Sequence, residues 1–140
     1  YAAQMPLDAV QRRVTPQALR TLTSPRDVPA LRALDQLRPV LAAHDWGVSG
    51  STGFELATGI EALHALSDLD LILHTPEPLE RCAARDLLAA LDSAACAVDL
   101  QLQTPFGAVA LREWAGSSRR VLLKTASGAH LVIDPWQAMP

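Results

Sequence analysis

Three aspartates lie at positions where their carboxylates can act together. Asp68 and Asp70 flank Leu69 in an alternating segment, so a strand over 68–73 sends both side chains to one face. Asp99 lies on the polar side of a second alternating segment, 97–103. Carboxylates that face one way repel each other unless a cation neutralises them, and hard divalent cations prefer oxygen ligands. The pattern predicts a metal site, and the alternative is the solvated face of an edge strand.

A possible phosphate-binding turn precedes these aspartates. Gly50 and Ser51 follow a short apolar strand that begins at Trp46, and the backbone N–H groups of a tight glycine-bearing turn can form a nest for anions. Lys124 is the only lysine of the chain and lies on a predicted strand, where it can balance phosphate charge. A solvated strand lysine is the alternative. The order Gly-Ser, Asp-Leu-Asp and a third strand aspartate is more specific than any of its parts.

Hydrophobic periodicity, together with proline and glycine signals, predicts the elements that position these residues. Residues 1–29 are expected to form a lead-in segment packed on the core, and residues 30–140 one catalytic domain. The expected fold is α+β, a small mixed β-sheet flanked by helices. The predicted helices cover 17–22, 30–44 and 79–93. After the strand that begins at Trp46, the predicted strands cover 68–73, 97–103, 121–125 and 130–133. The segment 108–114 is predicted to be either helix or strand.

Length and composition narrow the class of protein. The chain has 140 residues, of which 49% are hydrophobic and 19% charged, which is typical of one globular domain. A net charge of -3 argues against nucleic acid and anionic membrane as partners. No apolar run approaches the roughly 20 residues of a membrane span, so we expect a cytoplasmic protein. Two cysteines and four scattered histidines lack the spacing of a zinc site.

The ordered motifs resemble a known superfamily and, within it, one family. Gly50-Ser51, Asp68-Leu69-Asp70 and Asp99 are similar to the pattern of polymerase-beta-like nucleotidyltransferases. The run from Trp46 to Gly59, the run from Val98 to Trp114, and Asp134-Pro135-Trp136 resemble the phosphoribosyl-dephospho-CoA transferases of malonate decarboxylase, also called malonate decarboxylase holo-acyl-carrier-protein synthases. The resemblance implies a nucleotidyltransferase-like sheet.

The family resemblance also implies a reaction and its ligands. A prosthetic group would pass from triphosphoribosyl-dephospho-CoA to a serine of the apo acyl carrier subunit of malonate decarboxylase, with release of pyrophosphate. Asp68 and Asp70 would hold two Mg²⁺ ions, with Mn²⁺ as the alternative metal, and Asp99 would hold the catalytic ion near the attacking serine. Gly50 and Ser51 would bind the donor phosphates. Family members usually carry a further N-terminal region, so this chain is expected to be a fragment.

Two other functions stay open at this level. One is another small-substrate nucleotidyltransferase with a different acceptor, against which the segment 54–59 argues. The other is a carrier-binding or CoA-binding module without catalysis, against which the retention of all three aspartates argues. The roles of Glu55 and Thr58, a contact of Arg119 and Arg120 with an acidic carrier, and the oligomeric state are open as well.

Overall fold

The computed structural model describes residues 15–137, and those residues form an α+β fold with one mixed sheet. The predicted fold class is therefore confirmed. Residues 1–14 of the expected lead-in segment lie outside the described part of the chain. The helices are α1 (Pro16–Leu19), α2 (Pro29–Leu41), α3 (Gly50–Thr58), α4 (Arg81–Asp92) and α5 (Leu111–Trp114), and the strands are β1 (Trp46–Ser49), β2 (Leu69–His74), β3 (Val98–Thr104), β4 (Gly107–Ala110), β5 (Val121–Thr125) and β6 (Gly128–Val132).

The six strands lie in the sheet in the order in which they occur along the chain. Only β2 and β3 pair in parallel, and α4 connects them, because parallel neighbours need a crossover. All other neighbouring strands are antiparallel. The expected final hairpin is confirmed, with Thr125 opposite Gly128.

Side-chain alternation gives the central strands one buried and one polar face. Leu71 on β2 and Leu100 on β3 are buried and in register, and they pack in a core that includes α2 and α4. Leu34 and Leu91 supply the apolar sides of those helices. The opposite face of β2 and β3 carries Asp70 and Asp99. Packing of the leucines in the core therefore fixes the position of these two aspartates.

The largest correction to the sequence prediction concerns the segment after β1. A glycine-bearing turn was expected there, whereas helix α3 begins directly at Gly50 and ends at Thr58. Gly50, Ser51, Thr52 and Gly53 are weak helix formers, so intrinsic propensity hid this helix. Gly59 ends it in the left-handed conformation, and its N–H donates to the carbonyl of Glu55.

The segment before α2 packs on the sheet near β1. Thr15 caps α1 by accepting a hydrogen bond from Ala18 N–H, and Leu19 is buried in the main core. A Cβ on Gly47 would lie 2.6 Å from the carbonyl oxygen of Pro16, so α1 sits directly on β1. None of the described helices is long and apolar enough to cross a membrane.

Candidate active site

Asp70 and Asp99 form the centre of the candidate site. They are register partners on the parallel strands β2 and β3, so their side chains leave the same face side by side. Asp70 is half-buried and Asp99 is exposed. Burial raises the pKa of Asp70, and the charges of Asp99 and Asp68 raise it further. The ionised pair is therefore held together against its own repulsion.

Gly50 brings the start of α3 against this pair. Ser49 is the register partner of Asp70 across β1 and β2, so the next residue lies beside the Asp70 carboxylate. Gly50 has φ of 62°, and a Cβ there would lie 2.8 Å from Cγ of Asp70. Both facts require glycine. The first N–H groups of α3 therefore lie next to the carboxylates. The N-terminus of a helix is a favourable place for an anion such as phosphate.

Asp68 and Ser51 flank this centre. Strand β2 begins at Leu69, so the predicted strand start at Asp68 is wrong by one residue, and Asp68 is exposed just before the strand. Its charge still acts on Asp70. Ser51 is exposed in the first turn of α3. The structure thus places Gly50, Ser51 and the aspartates in one region of the molecule.

Lys124 does not join this cluster. It lies on β5, where it pairs with Ala108 of β4, and Ala108 pairs with Gln103 of β3. Two strand spacings and four residues along the strand separate Lys124 from Asp99, which is roughly 16 Å. Its role in binding phosphate stays a prediction.

Two neighbours of Asp99 were not foreseen from the sequence. Gln101 donates to Asp99 Oδ1 at 3.0 Å, and alternation along β3 could have indicated this contact. Arg112 pairs with Asp92 at 2.5 Å, and the hydrogen bond from Arg112 holds the pKa of Asp92 low. The hydrogen bond with Asp92 is the largest cause of the raised pKa of Arg112, and the charge of Asp99 adds to it. The Arg112 guanidinium is therefore close enough to Asp99 to interact with it electrostatically. No local sequence signal places Arg112 there.

Glu55 organises the loop between α3 and β2 from a buried position. Only 4% of it is exposed, and its Oε1 accepts from Arg26 Nη1 at 2.6 Å, Ala62 N–H at 2.8 Å and Leu63 N–H at 2.9 Å. Burial raises the pKa of Glu55, but the two backbone donors and Arg26 outweigh it, so the net pKa is lowered. Arg26 also donates to the Leu63 carbonyl at 3.1 Å. Glu55 is thus a structural carboxylate, a role the sequence left open.

The carboxylates of the site match a hard divalent cation in their chemistry but are not arranged as a finished metal site. Within residues 15–137 no group of three His, Cys, Asp or Glu side chains is placed to hold a metal ion. The fold supplies Asp70 and Asp99 as a pair, with Asp68 just before the start of β2. The carboxylates are the oxygen ligands that Mg²⁺ prefers, and their repulsion is what a cation would relieve. The space beside Asp70 exists only because Gly50 has no side chain.

Comparison with known proteins places this chain in a family. The family model described as "Phosphoribosyl-dephospho-CoA transferase MdcG C-terminal domain" matches residues 17–135. Proteins named phosphoribosyl-dephospho-CoA transferase from Pseudomonas fluorescens strain Pf0-1 and Pseudomonas syringae pv. tomato are each 60% identical, over 137 and 140 residues. The two alignments cover 96% and 97% of this chain, respectively.

The chain spans 66% of the length of each of these two relatives. The protein of the same name from Pseudomonas aeruginosa is 50% identical over 141 residues, covering 98% of this chain and 67% of its own. No solved structure matches the chain. With the family model matched over most of its length, the chain belongs to the MdcG family of phosphoribosyl-dephospho-CoA transferases, in the region of their C-terminal domain.

Proposed function

We propose that this chain is the catalytic part of a metal-dependent transferase. It attaches the phosphoribosyl-dephospho-CoA group of triphosphoribosyl-dephospho-CoA to a serine of the apo acyl carrier subunit of malonate decarboxylase. The single observation that carries the proposal is the register pairing of Asp70 with Asp99 beside Gly50 at the start of α3. The names of the relatives support the donor, and the family name supports the malonate decarboxylase context.

Each part of the site has a task in this reaction. Asp68 and Asp70 would hold two Mg²⁺ ions, and Asp99 would share the catalytic one. When bound, Mg²⁺ would neutralise charge at the reacting phosphate and lower the pKa of the attacking hydroxyl. Ser51 and the first N–H groups of α3 bind the outer phosphates.

The proposed reaction exchanges one bond at phosphorus for another. The serine Oγ forms a bond to the α-phosphorus, the bond from that phosphorus to the bridging oxygen breaks, and pyrophosphate leaves. Asp99, the exposed member of the pair, accepts the proton of the serine hydroxyl. Asp70, half-buried beside Gly50, would hold metal.

Intact-protein mass spectrometry of the apo carrier subunit tests the proposal. The protein is incubated with carrier, triphosphoribosyl-dephospho-CoA and Mg²⁺, with EDTA in a parallel sample. We expect the carrier to gain the mass of one prosthetic group only when free Mg²⁺ is present. A folded protein that binds Mg²⁺ and gives no mass gain would overturn the proposed reaction.

Asp70→Asn locates the reaction at this site. We expect transfer to fall by roughly two orders of magnitude or more, because a metal ligand is lost while the fold is kept. Without metal the variant should be at least as stable as the wild type, because it removes a carboxylate whose pKa is raised by burial and by repulsion from Asp99 and Asp68. Asp86→Asn, on the exposed side of α4, is the matched control and should keep full activity. Equal activity of both variants would contradict the site assignment.

A further inference from the structure

An arginine-lined cleft lies away from the carboxylates, between the N-terminal end of α4 and the segment that follows α5. Its volume is about 550 Å³. The same cleft is bordered by Trp114 and by the residues that follow β6. Its charged lining consists of Arg81, Arg85, Arg119 and Asp134.

Two of these arginines hold the segment 115–118 through backbone carbonyls. Arg81 donates to Gly116 O at 2.8 Å and to Ser118 O at 2.9 Å, and Arg85 donates to Ala115 O at 3.1 Å. Carbonyl oxygens carry no net charge, so these contacts fix the guanidinium groups without neutralising them. Across residues 15–137, neither of these arginines nor Arg119 takes part in a salt bridge.

Trp114, the aromatic side chain of the cleft, already packs against two neighbours. The Arg81 guanidinium lies 4.1 Å from the ring centroid of Trp114. The ring centroid of Trp136 lies 5.2 Å from that of Trp114, and the two ring planes meet at 67°. Trp114 Nε1 donates to Leu79 O at 2.7 Å. A planar base would have to displace one of these contacts in order to stack. Recognition in this cleft therefore depends on charge rather than on stacking.

The charge of the cleft is opposite to that of the whole chain. Three arginines face one carboxylate, Asp134, which also accepts a hydrogen bond from Trp136 N–H at 2.9 Å. The chain as a whole has a net charge of -3. A local positive surface on an acidic protein favours encounter with an acidic surface of a partner.

The position of the cleft suits a macromolecular partner. Helix α4 runs from Arg81 in the cleft to Asp92, a distance of about 16 Å, and Asp92 pairs with Arg112 close to Asp99. A protein interface of about 800 Å² per partner is roughly 30 Å across, which exceeds this distance. Because α4 packs on the face of the sheet opposite the aspartates, a partner seated on the cleft reaches the carboxylates around the Asp92 end of α4.

We propose that the cleft formed by Arg81, Arg85 and Arg119 docks an acidic surface segment of a partner protein. If the proposed function holds, this partner is the acceptor that carries the reacting serine. Arg81 and Arg85 are fixed by the loop they hold, and Arg119 is exposed and adjusts to the bound carboxylates. The cleft thereby orients the acceptor, while the aspartates act on its hydroxyl.

Arg119→Glu tests the docking role independently of the transfer reaction. Fluorescence anisotropy measures binding of a labelled poly-glutamate peptide at low salt. We expect at least a five-fold loss of affinity in Arg119→Glu. Arg32→Glu, the same charge change on exposed α2, should lose less than two-fold. Equal losses in the two variants would show diffuse charge attraction and overturn the proposal.

A second pair of measurements separates the docking surface from a small-ligand site. Dephospho-CoA should neither displace the peptide nor bind more weakly to Arg119→Glu, and either effect would overturn the proposal. In the transfer assay, Arg119→Glu should raise KM for the carrier five-fold or more and change KM for the donor less than two-fold. Loss of peptide binding in Arg119→Glu without any transfer by the wild type would refute the proposed reaction and leave the docking surface standing.

Discussion

Replacement of Glu55 by glutamine should destabilise the protein without changing its shape. The carboxylate is buried, and its Oε1 accepts hydrogen bonds from Ala62 N–H, Leu63 N–H and Arg26. Glutamine keeps an oxygen for the two backbone donors but reduces each bond from a charge-assisted to a neutral one, at about 1 kcal/mol per bond. The Arg26 pair is partly exposed and adds less.

Relief from burying a charge offsets part of this loss, because burial is the largest influence on the pKa of Glu55. We therefore expect the free energy of unfolding to fall by about 1–2 kcal/mol, with Tm lower by about 4–8 °C. Urea denaturation at neutral pH measures the difference. Glu61→Gln is the matched control, since Glu61 is exposed and lies 3.5 Å from the same arginine, and it should change stability by less than about 0.5 kcal/mol.

The pH dependence of this difference has a definite sign. The folded protein lowers the pKa of Glu55 below its ordinary value of 4.5, so the carboxylate stabilises the fold fully above that value. The stabilisation is lost as the pH falls through the lower pKa of the folded state. The gap between wild type and Glu55→Gln should therefore close in acid. A constant gap well below pH 4.5, or equal effects of Glu55→Gln and Glu61→Gln, would refute this reasoning.

Three glycine positions give two further tests. Gly50→Ala and Gly59→Ala impose similar backbone strain of about 1–2 kcal/mol, because both residues have positive φ, but only the first meets the Asp70 side chain. We expect transfer to fall about 100-fold in Gly50→Ala and to stay near wild type in Gly59→Ala, and equal activities would contradict the close approach to Asp70. Gly47→Ala places a Cβ against the backbone of Pro16 and should lower the free energy of unfolding by about 1–3 kcal/mol in urea titrations; wild-type stability would show that α1 does not pack on β1.

Much of the fold could be predicted because its signals are local. Alternation predicted β2 and β3 to within a residue at each end, and helical periodicity predicted α2 although Pro39 lies within it. Helix α3 was missed because its first four residues favour turns. Its packing, in which Gly53 lies close to Val48 and Leu19, is a tertiary contact that local propensity does not show.

The candidate site was predictable where it depends on strand alternation and not where it depends on contacts between distant segments. The pairing of Asp70 with Asp99 follows from two polar strand faces and a parallel register. The structural role of Glu55 and the position of Arg112 depend on loops and side chains that sequence spacing does not fix. The distance of Lys124 from the aspartates depends on strand order, which periodicity does not reveal.

The position of Asp99 on β3 also makes one register of β2 against β3 more stable than its alternatives. Because successive side chains alternate between faces, a slip of β3 by one residue would turn Asp99 toward the core and Leu100 toward water. An unpaired carboxylate among apolar side chains is strongly unfavourable, so misaligned molecules would be unstable as well as inactive. The aspartate that we propose to act in the reaction thus also helps to select one strand alignment, and that alignment assembles the carboxylate pair.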